Sequence, residues 1–133
     1  MKNPVTKIWH SSLFNLLLVL IWALFIYCLM LTSLSTLPSV DVPSPYSHLL
    51  DKVIHTFVFG VLSYLLWRFF YQSLASRRSS SLFLSFFITA SYAYLIEYWQ
   101  SFTNTRTYSF WDLFFGLVGA VLALLVIKLT NKK

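Results

Sequence analysis

Four long apolar stretches separated by short polar ones set the pattern of this chain. They cover residues 13–34, 51–72, 82–102 and 109–128. Each is close to the roughly 20 residues that a helix needs to cross a hydrocarbon layer about 30 Å thick. Inside that layer the backbone must satisfy its own hydrogen bonds, so all four are predicted to be helices. Lys2 and Lys7 ahead of the first stretch also fit a signal peptide. That run is long for one, however, and no small-residue cleavage site follows, so a retained helix is expected. Residues 35–50 hold every proline except Pro4, among several serines, and predict a loop. Residues 73–81, with Arg77-Arg78 among serines, predict a polar turn, and 103–108 a tight connection. Links this short make the second, third and fourth helices antiparallel to their neighbours. The expected architecture is one domain over residues 1–133, an all-α antiparallel bundle of four transmembrane helices.

Composition excludes a water-soluble protein. The chain is 58% hydrophobic and only 11% charged, against about 25% charged in soluble domains. Membrane lipids are therefore the expected surroundings. The net charge of +6 would suggest nucleic acid in a soluble protein; here it follows the bias of membrane proteins toward cytoplasmic lysine and arginine, and no nucleic-acid partner is expected. With Cys28 as the one cysteine, an intramolecular disulfide is excluded.

Charge also predicts orientation. With four crossings and a cytoplasmic N-terminus, both termini lie inside, together with Lys2, Lys7, Arg68, Arg77, Arg78, Lys128, Lys132 and Lys133. Lys52 and Arg106 fall outside with Asp41, Asp51, Glu97 and Asp112. Eight basic residues inside and two outside match the positive-inside rule.

The outer end then gathers three polar clusters. Asp51 and Lys52 head the second helix, with His55 one turn deeper on a shared face. Glu97 falls about 8 Å below the outer end of the third helix at 1.5 Å per residue, with Gln100 a turn above it. Asp112 lies in the first turn of the fourth helix, behind Arg106 and Ser109. His55 and Glu97 come out at similar depths, so a direct hydrogen bond is expected.

Structural readings compete with functional ones. Ser109 and Asp112 are spaced as a capping box, and Asp51 could offset the positive end of its helix. Lys52 and Arg106 could pair with these acids or with lipid phosphates. For these four charged residues taken singly, structure outweighs function. Glu97 is different, because it is not at a helix start and a carboxylate in mid-span costs about 2.5–3.5 kcal/mol on insertion scales. Function is favoured there, and His55 gains from its proximity. The repeat Asp112, Gly116, Ala120, flanked by Gly119 and Ala123, is a small-residue stripe for close helix packing. The tryptophans and tyrosines mostly suit interfacial belts or lipid contact.

Taken together the polar motifs resemble those of the VanZ-like family of small bacterial membrane proteins. The residues that carry the resemblance are Asp51-Lys52-x-x-His55-x-x-x-Phe59-Gly60, Glu97-x-x-Gln100, and Arg106-x-x-Ser109-x-x-Asp112 followed by Gly119-Ala120. They span residues 51–120, about half the chain, in family order. The family usually carries an asparagine four residues after the aspartate, where this chain has Gly116. The resemblance implies a multi-pass protein of the bacterial inner membrane, in a family named for a member associated with teicoplanin resistance.

Three functions are weighed. The first is a cell-envelope protein whose outer, periplasmic or extracellular pocket binds or modifies a lipid-linked precursor or headgroup. Glu97, His55 and Asp112 are its candidate catalytic residues, and Asp51, Lys52, Gln100, Arg106 and Ser109 its binding residues. The second is a non-catalytic assembly module whose polar cluster only clips helices together; homo- or hetero-oligomers are left open. The third, a proton or cation pathway, is disfavoured because the inner half lacks acids and offers no polar relay. No cofactor is expected. A metal site on His55, Glu97 and Asp112 is only weakly specified, because Lys52 and Arg106 would compete for the carboxylates, and no metal is assigned.

Overall fold

The computed structural model describes residues 12–31, 44–73, 78–102 and 108–130. They form four helices: α1 (Ser12–Leu31), α2 (Ser44–Ser73), α3 (Arg78–Gln100) and α4 (Phe110–Thr130). Each contains a segment long and apolar enough to cross a membrane, and no strand occurs among the described residues. Contacts between helix ends fix the directions. Asn15 near the start of α1 bonds Gln72 near the end of α2, and Arg78 at the start of α3 reaches Ile127 at the end of α4. At the other end, His55 of α2 meets Glu97 of α3, and Gln100 of α3 bonds Met30 of α1. Neighbouring helices are therefore antiparallel.

Helix ends fall within a few residues of expectation except at the start of α2. Residues 44–50, expected to be loop, are helical. Ser44-Pro45 supplies the reason: proline in a first turn forfeits only an amide that has no helical partner, and its fixed φ suits the helix. Asp51 thus lies about two turns inside α2 at 3.6 residues per turn and cannot serve as the counter-charge at its N-terminus. The start of α3 also moves into the serine run, to Arg78 rather than residue 82. There the Arg78 guanidinium donates to the carbonyls of Ile127 at 2.7 Å and Lys128 at 3.0 Å. Those carbonyls are among the last of α4, and that of Ile127 also accepts from Thr130 Oγ1 at 3.4 Å.

Two kinds of packing hold the bundle together. Val19, Ile26 and Met30 of α1 meet Val58, Phe59, Leu62 and Leu66 of α2 and Ala93 and Ile96 of α3 in one apolar core. Between α2 and α4 the backbones themselves touch. A Cβ on Gly119 would overlap the Thr56 carbonyl, and one on Gly60 would sit 3.1 Å from the Gly119 oxygen. Thr56 Oγ1 reaches across this crossing to the Phe115 carbonyl at 3.2 Å, sharing its one proton with the Lys52 carbonyl at 2.9 Å. The small-residue stripe on α4 accordingly faces inward, with Asp112, Gly116, Gly119 and Ala120 buried.

Residues such as Leu20, Ile21, Phe57, Phe83, Phe87 and Val126 point outward, as apolar side chains do when lipid replaces water as solvent. Trp22 departs from the aromatic-belt reading: its indole N–H donates to the Val58 carbonyl at 2.9 Å and joins α1 to α2. Polar side chains are also buried in the half of the bundle away from Glu97. Ser81, Ser85 and Thr89 follow one another at four-residue steps on α3, and Ser63 faces them from α2. Their bonds are local, Ser63 to Thr89 at 2.9 Å and Ser85 to the Ser81 carbonyl at 2.6 Å.

Candidate functional site

At the end of the bundle where α2 enters and α3 leaves, one side chain from each of three helices converges. His55 is fully buried, Glu97 is 1% exposed and Asp112 is 9% exposed. His55 Nδ1 lies 2.9 Å from the Asp51 carbonyl. A carbonyl can only accept, so Nδ1 carries the proton of that bond and the ring orientation is fixed by its own helix. The far nitrogen, Nε2, faces Glu97 Oε1 at 3.5 Å. That distance is too long for a good hydrogen bond, and both atoms are buried without a hydrogen-bond partner. The expected pairing of His55 with Glu97 is thus met as an ion-pair contact rather than as a hydrogen bond.

The start of α4 explains how Asp112 becomes available to this cluster. Ser109 caps the helix as expected, its Oγ accepting from the Asp112 amide at 3.3 Å and its carbonyl from the same amide at 3.2 Å. A complete capping box would return the Asp112 carboxylate to the Ser109 amide. Instead that amide donates to Glu97 Oε2 at 3.2 Å. Glu97 therefore fills the acceptor role from a neighbouring helix and ties α3 to the start of α4. Asp112 is left to face the interior, where one ligand atom from each of Asp51, His55 and Asp112 lies within 4.8 Å of the others.

The remaining sequence candidates divide. Gln100 is buried, but its Nε2 donates to the Met30 carbonyl at 2.7 Å, so it fastens α3 to the end of α1. Lys52 is half-buried on α2 beside Asp51, and its carbonyl accepts from Thr56 Oγ1. Arg106 lies outside the described residues. Two contributors were given no site role in the sequence reading, although Phe59 belongs to the first motif. Phe59 packs beside His55, ring centroids 6.1 Å apart, and occupies the space a side chain at Gly116 would need, 2.9 Å from a Cβ there. Met30, at the end of a helix with no motif, supplies the carbonyl that holds Gln100. The i+4 spacing of His55 and Phe59 was the available signal for the first; nothing in the sequence marks the second.

Three carboxylates and one imidazole in an apolar setting can shuttle a proton between His55 and Glu97, or gather around a cation. The family assignment follows from the chain as a whole. A model of the VanZ/LLP1 family matches residues 2–131. The chain belongs to this family. It is a VanZ-like multi-pass membrane protein of the cell envelope, with the family's association with antibiotic resistance. No curated protein and no solved structure matches it. The VanZ match extends well beyond the three polar motifs and includes α1, where the sequence offered nothing diagnostic.

Proposed function

We propose that this VanZ-like protein binds the polar headgroup of a lipid-linked envelope substrate at the His55–Glu97–Asp112 cluster, on the outer side of the inner membrane. The carrying observation is the buried pair His55 Nε2 and Glu97 Oε1, held 3.5 Å apart within ion-pair range but without a hydrogen bond. Such atoms are costly unless a proton, an ion or a ligand group comes between them. The pair also sits at one end of the bundle, where a headgroup would lie.

Charge supports the orientation. Among the described residues Arg68, Arg78 and Lys128 belong to the opposite end, whereas Asp51, Glu97 and Asp112 cluster here with Lys52. A cytoplasmic Arg78 end agrees with the positive-inside rule. A tail path supports the lipid. An apolar cleft of about 680 Å³ opens between α2 and α4, lined by Thr56, Gly60, Tyr64, Trp67, Gly119 and Ala123 among others. It begins at the residue following His55 and suits an acyl chain lying along the bundle. If the bound substrate is also modified, Glu97 and His55 are the acid–base pair, with Nδ1 fixed by Asp51 and Nε2 free to exchange a proton.

The test is to purify the protein from its own membranes in mild detergent and identify retained lipids by mass spectrometry. One lipid class should be enriched on the wild type. Both Asp112→Asn, at the headgroup, and Ala123→Phe, in the cleft, should release it. Equal retention by both variants would remove the proposal.

The structural alternative is favoured by one observation, the Ser109–Glu97 bond, which clips α3 to α4 whatever else Glu97 does. On that reading, Glu97→Gln and His55→Ala lower the melting temperature and no lipid is specifically retained.

A further inference from the structure

The cleft between α2 and α4 is continuous with the lipid-facing surface of the bundle, since Phe57, Tyr64, Leu122 and Val126 on its walls are exposed. Apolar space that opens into the hydrocarbon of a bilayer is filled by lipid chains and not by water. Gly60, Gly119 and Ala123 take up little of its width. The cleft also has definite ends. On α2 its lining starts at Thr56, one residue past His55, and stops at Trp67, although the helix continues to Ser73. On α4 it runs from Gly119 to Thr130, the last residue of that helix. Both stretches rise about 16 Å at 1.5 Å per residue, close to the roughly 15 Å of tail in one leaflet of a 30 Å hydrocarbon layer. Trp67 makes a firm stop. Its ring stacks on Tyr71, centroids 5.4 Å apart at 15°, and lies 6.2 Å from the Tyr64 ring. Its indole nitrogen is buried without a hydrogen bond, so packing alone sets where the ring stands.

We propose, resting on the reading of a headgroup site at the His55 end, that Trp67 sets the length of tail the cleft accepts. The substrate class is accordingly an acylated lipid and not a polyprenyl-linked one. An extended acyl chain advances about 1.25 Å per carbon, given C–C bonds near 1.5 Å, so a rise of about 16 Å holds about 13 carbons. A polyprenyl carrier is several times longer and cannot lie within a cleft that ends at Trp67. The excess of a longer acyl tail must bend out past the Trp67–Tyr71 stack into the bilayer, where it gains no contact with α2 or α4 over free lipid.

The full-length protein in detergent, freed of bound lipid, is offered lysophosphatidylglycerols whose saturated tails range from shorter than the cleft to longer than it. Bound lipid is counted by native mass spectrometry. Affinity should rise up to about 13 carbons and gain nothing beyond, as bond length and helical rise dictate. Trp67→Ala should move that limit upward by about four carbons, the equivalent of one helical turn of 5.4 Å. If Trp67→Ala does not fold, Trp67→Leu, which keeps an apolar side chain, should move the limit the same way by less. Undecaprenyl phosphate offered in competition should not displace the lysolipid. Affinity that ignores tail length, a limit unmoved by the Trp67 variants, or displacement by the polyprenyl phosphate would each overturn the proposal and leave the cleft a place for annular lipid only. Asp112→Asn keeps the headgroup reading separate. It should weaken every tail length alike; wild-type affinity in Asp112→Asn with the Trp67 limit intact would remove the headgroup site and keep the tail stop. No binding of any tail would overturn both.

Discussion

The two ends of the bundle use polar groups differently. At the Arg78 end, polar side chains tie helix to helix: the guanidinium closes the last carbonyls of α4, and Asn15 Nδ2 donates to Gln72 Oε1 at 2.6 Å. Atoms there also lack a hydrogen bond, among them Asn15 Oδ1, Trp67 Nε1 and Ser73 Oγ; what sets the His55 end apart is an acid and a base whose unbonded atoms face one another. At the His55 end, anchoring and exposure of reactive atoms are separated by design of the local geometry. Nδ1 and Oε2 are fixed by backbone groups, and Nε2 and Oε1 are aimed at each other without a bond. A group held rigidly through one atom while its partner atom stays unsatisfied is what a binding site requires, and it costs stability that a purely structural network would recover.

Substitutions can separate the two ends. The largest effect is expected at the crossing that supports both. Gly119→Leu forces a side chain into the Thr56 carbonyl, and should cost about 3 kcal/mol or more. Loss of a cooperative melting transition in detergent would show it, whereas wild-type melting would refute the close α2–α4 approach. Gly116→Asn meets the Phe59 ring and should cost about 1–3 kcal/mol. A smaller or absent penalty would mean that Phe59 yields easily and that its packing beside His55 is loose. At the Arg78 end, Arg78→Ala removes two charge-assisted bonds to α4 and should cost about 1.5–3 kcal/mol. Because the cleft reaches Ile127, lipid retention should fall less than in Asp112→Asn; an equal loss would mean that the ends are not independent. The smallest effect belongs to Ser63→Ala, which removes one bond to Thr89 worth about 0.6 kcal/mol inside a membrane bundle.

Much of this was legible in the sequence because hydropathy and charge are one-dimensional signals. The four spans, the antiparallel order and the inward face of the α4 stripe follow from run lengths, short links and i+4 repeats. His55, Glu97 and Asp112 could be brought together because each sits near the same end of its helix. The rest depended on three-dimensional competition. Prolines suggested a loop before Asp51, yet Ser44-Pro45 starts a helix, which removed Asp51 from the helix mouth. The spacing of Ser109 and Asp112 suggested a closed capping box. No local rule reveals that Glu97, twelve residues earlier, takes the second half of it. Gln100 shares the Glu97 face as its spacing implies, but its partner is a main-chain carbonyl of α1, and carbonyls carry no residue-type signal.

The central claim is that the His55–Glu97 pair serves a ligand rather than the fold. Glu97→Gln tests it most directly, since the amide keeps the shape and can still accept from the Ser109 amide. Lipid retention and melting temperature are measured together on the same purified protein. The account predicts that the variant loses the retained lipid while melting within a few degrees of the wild type. Undiminished retention, or a collapse in melting that accompanies any loss, would contradict it.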